Sequence, residues 1–139
     1  MNMAFVQILK LYFSTLLIFL VIDMVWLAVL ARGFYQEQLG FLLSPRPNWT
    51  AAVIFYLIFV AGIVVFVISP GLQAGSARKV LMLGAFFGLV TYATYDLTNM
   101  ATLKDWPLKV TLVDLCWGMF LSAVTGYLGY LCGRWFESN

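Results

Sequence analysis

Histidine is absent from this chain of 139 residues, and charged residues make up only 10% of it. Without histidine the chain lacks the commonest metal ligand, the commonest proton shuttle and the base of a nucleophilic triad. No glycine-rich phosphate loop or zinc-type cysteine spacing is present. The formal net charge of +2 comes without a basic run. We therefore predict no metal site, no cofactor and no nucleic acid partner.

The remaining composition is typical of an integral membrane protein. Hydrophobic residues make up 63% of the chain and charged residues only 10%. A soluble domain, in comparison, has about 25% charged residues. Apolar runs cover approximately 11–31, 51–69, 80–103 and 108–135. We predict an all-α fold in which these runs form an antiparallel bundle of four transmembrane helices. The length leaves room for a single transmembrane domain over 1–139 and little else.

The connection 33–48 and the second span suggest different roles. The connection mixes apolar and polar side chains and ends at Pro45 and Pro47, which predicts a short interfacial helix after the first span. An irregular loop whose aromatic side chains anchor it at headgroup level is the alternative. The second span carries no acid or base, and only Tyr56 interrupts its apolar surface, so we interpret it as scaffold.

Small residues recur at intervals of four in the last two spans. Gly84 and Gly88 lie on one face of the third, and Gly118, Ser122 and Gly126 lie on one face of the fourth. Such stripes let helix backbones approach closely in a membrane. We predict that the third and fourth spans form the closest contact of the bundle.

Three acids, Asp23, Asp96 and Asp114, lie inside the predicted spans. An ionised carboxylate in the bilayer centre costs several kcal/mol, so such acids are candidates for a functional site. Each lies five to nine residues from the basic residue that bounds its span on the side of the first and third loops. All three therefore lie roughly 8–14 Å below the same membrane surface. We predict that they share one polar pocket.

Polar and aromatic side chains accompany each acid at helical spacing. The predicted ligand-binding residues are Asp23, Asp96, Asp114, Asn99, Tyr92, Tyr95, Trp26 and Trp117. We expect Asn99 and Tyr92 to be hydrogen-bond partners of the acids. Trp26 and Trp117 either attract a cation by their ring faces or simply pack and anchor the helices.

Carboxyl groups this close in a low dielectric cannot all be ionised. A proton, a cation or a cationic ligand would satisfy them, and neutral acids that bind helices together by hydrogen bonds are the alternative.

Several motifs carry a resemblance to a known family. They are Asp-x-x-Trp-Leu in the first span, Gly33-Phe-Tyr and Leu39-Gly-Phe-Leu-Leu43 after it, the segment 91–102, and Trp106-Pro with Val113-Asp-x-x-Trp-Gly118. In these the chain resembles the family DUF2177, which comprises short bacterial membrane proteins of unknown function. The resemblance implies a four-span protein of the bacterial inner membrane and supplies no activity. The family pattern is matched at all eight predicted ligand-binding positions.

Three classes of function stay open. A module that binds or transports a proton, a cation or a small amphiphile fits the acids best. An enzyme acting on lipids would use the same acids as general acid and base. A structural subunit would use the small-residue stripes to contact a second copy or another membrane protein.

Membrane orientation rests on one weak signal. Basic residues divide evenly between the two sides, but Arg78 and Lys79 are adjacent in a short loop, which favours cytoplasmic termini.

Overall fold

The computed structural model describes residues 4–139, which are helical apart from short connections and contain no strand. Four helices are long and apolar enough to cross a membrane, and we number these spans in chain order: Phe5–Leu30, Trp49–Ala74, Ala77–Thr102 and Leu108–Ser138. The predicted fold class, a multi-pass helical membrane protein, is confirmed. Each helix extends beyond its predicted apolar run at one end or at both, because the helix continues into more polar sequence.

The connections have recognisable local causes. Asn48 caps the second span, since its side chain accepts a hydrogen bond from the Ala51 N–H at 3.0 Å. Ser76 caps the third span in the same way, through the Lys79 N–H at 3.2 Å. Gly75 ends the second span in the left-handed conformation, with φ of 59°. So short a turn makes the second and third spans antiparallel neighbours.

A helix does follow the first span, as one of the two alternatives predicted. We call Arg32–Leu39 the loop helix. It is shorter than the segment 33–48, and the chain then continues through turns and irregular backbone to the second span.

Two spans contain a wider π-helical turn. In the second span this turn is Val64–Ile68 and precedes Pro70, which has no N–H to continue the ordinary pattern of hydrogen bonds. In the first span it is Trp26–Leu30 and begins shortly after Asp23, with no proline to cause it. Wide turns of this kind are frequent at functional sites.

The third and fourth spans pack together along most of their length, as the glycine stripes predict. A Cβ atom at Gly88 would collide with the Gly118 carbonyl oxygen. A Cβ atom at Gly84 would lie 2.8 Å from the Ser122 carbonyl oxygen. The fourth span also contacts the first span and the second half of the second span, so it forms the centre of the bundle.

The apolar core occupies only one half of the bundle. In the second span it contains Val60, Ile63, Val67 and Ile68, which are fully buried. Between residues 49 and 58, in contrast, no side chain of this span is buried. The second span therefore stands apart from the bundle on the side of the first and third loops, and this separation opens a cavity.

Candidate functional site

The cavity has a volume of about 710 Å³ and is partly open. It is lined by all four spans and the loop helix, and its surface is mostly apolar. Aromatic side chains dominate the wall: Trp26, Tyr35, Phe55, Tyr56, Phe59, Tyr92, Tyr95 and Trp117. The wall also includes the acids Asp23 and Asp114, together with the exposed Arg32. A cavity of this size and character is typical of a site for a small organic molecule.

The glycine stripes bring two of the acids together. The Tyr92 ring packs directly on Gly118, one turn beyond the crossing of Gly88 with Gly118. Because the third and fourth spans are antiparallel, the next turn of each places Asp96 opposite Asp114. Their carboxyl groups are close enough for a hydrogen bond when one of them carries a proton.

Asp114 also has a partner from the loop helix. The Tyr35 hydroxyl donates a hydrogen bond to Asp114 Oδ1. The same hydroxyl accepts a hydrogen bond from Trp26 Nε1 at 3.1 Å. Burial and the hydrogen bond to Asp114 raise the pKa of the Tyr35 phenol above its ordinary value, so it keeps its proton and remains a donor. The loop helix is thus attached to the fourth span through Tyr35.

Asp23 is held by a separate set of donors. The Tyr56 hydroxyl donates to Asp23 Oδ2 at 3.1 Å, and Trp117 Nε1 donates to Asp23 Oδ1 at 3.4 Å. Trp117 stacks on Trp26 with 4.2 Å between ring centroids and 8° between ring planes. Trp117 is a donor to Asp23, and Trp26 is a donor to Tyr35, the partner of Asp114. The stacked indoles therefore connect the surroundings of the two acids.

Asp96 lies behind the cavity wall. Its side chain is 0% exposed, and neither carboxyl oxygen accepts a hydrogen bond from the residues that the structure describes. The expectation that Asn99 and Tyr92 are hydrogen-bond partners is wrong for Asp96. The Tyr92 ring instead covers Gly118, and Asn99 is half-buried away from the cavity wall. Equal depth does not determine the direction in which each side chain points around the helix axis.

The three acids are neighbours without forming one cluster. Asp96 and Asp114 form a pair across the third and fourth spans, whereas Asp23 keeps its own donors. Within residues 4–139, no three acidic or cysteine side chains are arranged to hold a metal ion. The single shared pocket predicted for the acids is therefore replaced by two adjacent positions on the wall and one acid behind it.

Two residues that donate hydrogen bonds to the acids, Tyr56 and Tyr35, are absent from the sequence prediction. Tyr56 belongs to the second span, which we interpreted as scaffold, yet it donates to Asp23. A usable signal existed, because Tyr56 follows the capping Asn48 by eight residues and so lies about 12 Å below the same surface as the acids. For Tyr35 the sequence offered only its place in the family motif Gly33-Phe-Tyr35, because its contact with Asp114 depends on how the loop helix folds back over the bundle.

We expect Tyr56→Phe to lower the free energy of unfolding by about 1–3 kcal/mol, because the buried Asp23 carboxyl loses a donor. Tyr12→Phe is the matched control, since the Tyr12 hydroxyl donates only to the Leu57 carbonyl in an exposed hydrogen bond. Unfolding of both variants by denaturant in detergent gives the comparison. Equal losses would show that Tyr56 contributes nothing specific through Asp23.

A family model described as predicted membrane protein (DUF2177) matches residues 8–131. The match covers most of the chain, which therefore belongs to this family, as its motifs suggested. No curated protein and no solved structure matches significantly. Family membership establishes a membrane protein and leaves its function to be argued from the site.

Proposed function

We propose that this member of the DUF2177 family binds a small amphiphilic cation in its cavity, as a carrier or receptor for such molecules. The cationic head group contacts Asp114 and Asp23, and the apolar part lies among the aromatic side chains. One observation carries the proposal: two acids that are each less than one-tenth exposed lie on the wall of an aromatic, membrane-embedded cavity.

Electrostatics favours a cation over a neutral or anionic ligand. Carboxylates away from bulk water attract a positive charge strongly, and among the described residues the wall carries one basic side chain, the exposed Arg32. The faces of the indole and phenol rings add about 2 kcal/mol to the binding of a desolvated cation. Asp114, Asp23 and the stacked Trp26 and Trp117 supply both kinds of contact.

An organic cation suits the site better than a metal ion. Magnesium and calcium need about six or more oxygen ligands, several of them from carboxylates. The described residues offer two carboxyl groups on the wall, and each already accepts hydrogen bonds from phenol or indole groups. An ammonium group needs fewer ligands and gains from ring faces.

We also propose a location in the bacterial inner membrane, with both termini in the cytoplasm. Arg78 and Lys79 follow the short turn between the second and third spans, where the positive-inside rule applies well. The cavity then opens towards the outer face of the membrane.

Binding of benzyltrimethylammonium tests the proposed function. Its carbon isostere neopentylbenzene has the same shape and no charge. In lipid nanodiscs, the change in tryptophan fluorescence on binding beside Trp26 and Trp117 should show that the cation binds at least about tenfold tighter than the isostere. Empty nanodiscs, which lack this protein, measure how much of each compound partitions into lipid. Equal affinities for the two compounds would contradict a cation site.

A further inference from the structure

Asp96 is a buried acid that takes no part in lining the cavity. It is 0% exposed, and neither of its oxygens meets a donor among residues 4–139. Asp23 and Asp114, in contrast, each accept hydrogen bonds from phenol or indole groups. An ionised Asp96 would therefore be the only one of the three acids without a hydrogen bond, and its burial would be the most unfavourable.

The crossing of the third and fourth spans at Gly88 and Gly118 places the Asp114 carboxyl beside Asp96, whose oxygens meet no donor among residues 4–139. Two ionised carboxylates would repel each other. Two neutral ones would leave the cavity wall without the negative charge of Asp114. We propose that Asp96 is a neutral carboxylic acid that donates its proton to Asp114, and so holds Asp114 as the anion that faces the cavity. Tyr35 donates to Asp114 as well. Because Tyr35 already donates to Asp114 and no described residue donates to Asp96, the negative charge is more favourable on Asp114, and the proton stays on Asp96.

The charged and titratable groups around Asp96 and Asp114 do not move the proton from Asp96. The elements packed around the two acids contribute Asp23, Arg32, Tyr35, Tyr56, Tyr92 and Tyr95. Arg32 is exposed at the cavity wall, and the third acid of the site, Asp23, keeps its own donors. None of these groups donates to Asp96.

The consequence for binding rests on the proposed function. Asp96 does not contact the ligand and acts through Asp114, so it is a positioning residue. A second proton on the pair would neutralise Asp114 and would compete with the cationic head group. The affinity of the wild-type protein for benzyltrimethylammonium should therefore fall towards acidic pH, by up to about tenfold for each pH unit.

Infrared spectroscopy tests the protonation of Asp96 without any ligand. The wild-type protein should show the carbonyl stretch of a protonated carboxylic acid at neutral and mildly alkaline pH, shifted by exchange into deuterium oxide. Asp96→Asn should lose this band, and Asp23→Asn should keep it. A wild-type spectrum without the band, or a band that persists in Asp96→Asn, overturns the proposal. If Asp96→Asn does not fold, loss of the band in Asp23→Asn overturns it instead.

Binding separates a positioning role from a purely structural one. The amide of Asp96→Asn still donates to Asp114, so this variant should bind benzyltrimethylammonium within about threefold of the wild type. Asp96→Leu offers no donor and should lose about tenfold or more. Equal affinities of the two variants overturn the positioning role. If the wild type binds no cation, the proposed function fails, whereas the infrared result still decides where the proton lies.

Discussion

Asp114→Asn is expected to weaken binding of benzyltrimethylammonium by about 30-fold or more, and to leave the affinity for neopentylbenzene unchanged. Loss of a buried, hydrogen-bonded charge partner costs about 2 kcal/mol or more, which corresponds to that factor. Asparagine keeps the shape of the side chain, and its carbonyl oxygen can still accept from Tyr35. Only the negative charge is lost, so the effect should be confined to the cation. Titration of both compounds in nanodiscs measures it.

Asp105→Asn is the matched control, because it removes one negative charge elsewhere. Asp105 is exposed in the turn between the third and fourth spans, and its φ of 58° is one that asparagine adopts readily. The affinity of the Asp105→Asn variant for the cation should stay within about twofold of the wild type, because exposed charges at a distance are screened. If Asp105→Asn and Asp114→Asn weaken binding equally, the effect reflects net charge and no site at Asp114.

Gly118→Leu is expected to destabilise the folded bundle strongly in detergent. A Cβ atom at this position would overlap the Tyr92 ring, and the Gly118 carbonyl already lies against Gly88. A leucine must displace Tyr92 and separate the third and fourth spans, at a cost of about 3 kcal/mol or more. Because folded proteins are stable by only about 5–15 kcal/mol, such a loss is a large share of the total. Thermal unfolding together with size-exclusion chromatography would detect it.

Gly33→Leu is the control for Gly118→Leu. Gly33 lies in the loop helix, and a Cβ atom there would meet no other atom within 4 Å. This variant should melt close to the wild-type temperature. If Gly118→Leu melts there as well, close approach of the two spans does not stabilise the bundle.

The features that the sequence predicts correctly are those set by spacing along a helix. Steps of four residues place Gly84, Gly88 and Asp96 on one face of the third span, and the fourth span repeats the pattern with Gly118. Small side chains on facing helices allow close contact whatever the rest of the fold does. The contact of the third and fourth spans follows directly.

The features that the sequence does not predict depend on contacts between distant segments. Tyr35 reaches Asp114 only because the loop helix folds back over the bundle, and Tyr56 reaches Asp23 from a span that otherwise has an apolar surface. Residue counts give the depth of a side chain, but its direction depends on the rotation of each helix. This is why Asp96 lies behind the wall while Asp23 and Asp114 line it.

The most direct test of the cavity as a cation site is a structure determined with a brominated benzyltrimethylammonium bound in nanodiscs. The account predicts that the ammonium group contacts the Asp114 carboxyl, with the ring among the aromatic side chains beside Trp26 and Trp117. Bromine makes the orientation of the ligand unambiguous. A ligand found only outside the cavity at saturating concentration, or one whose ammonium group points away from both Asp23 and Asp114, would contradict the account.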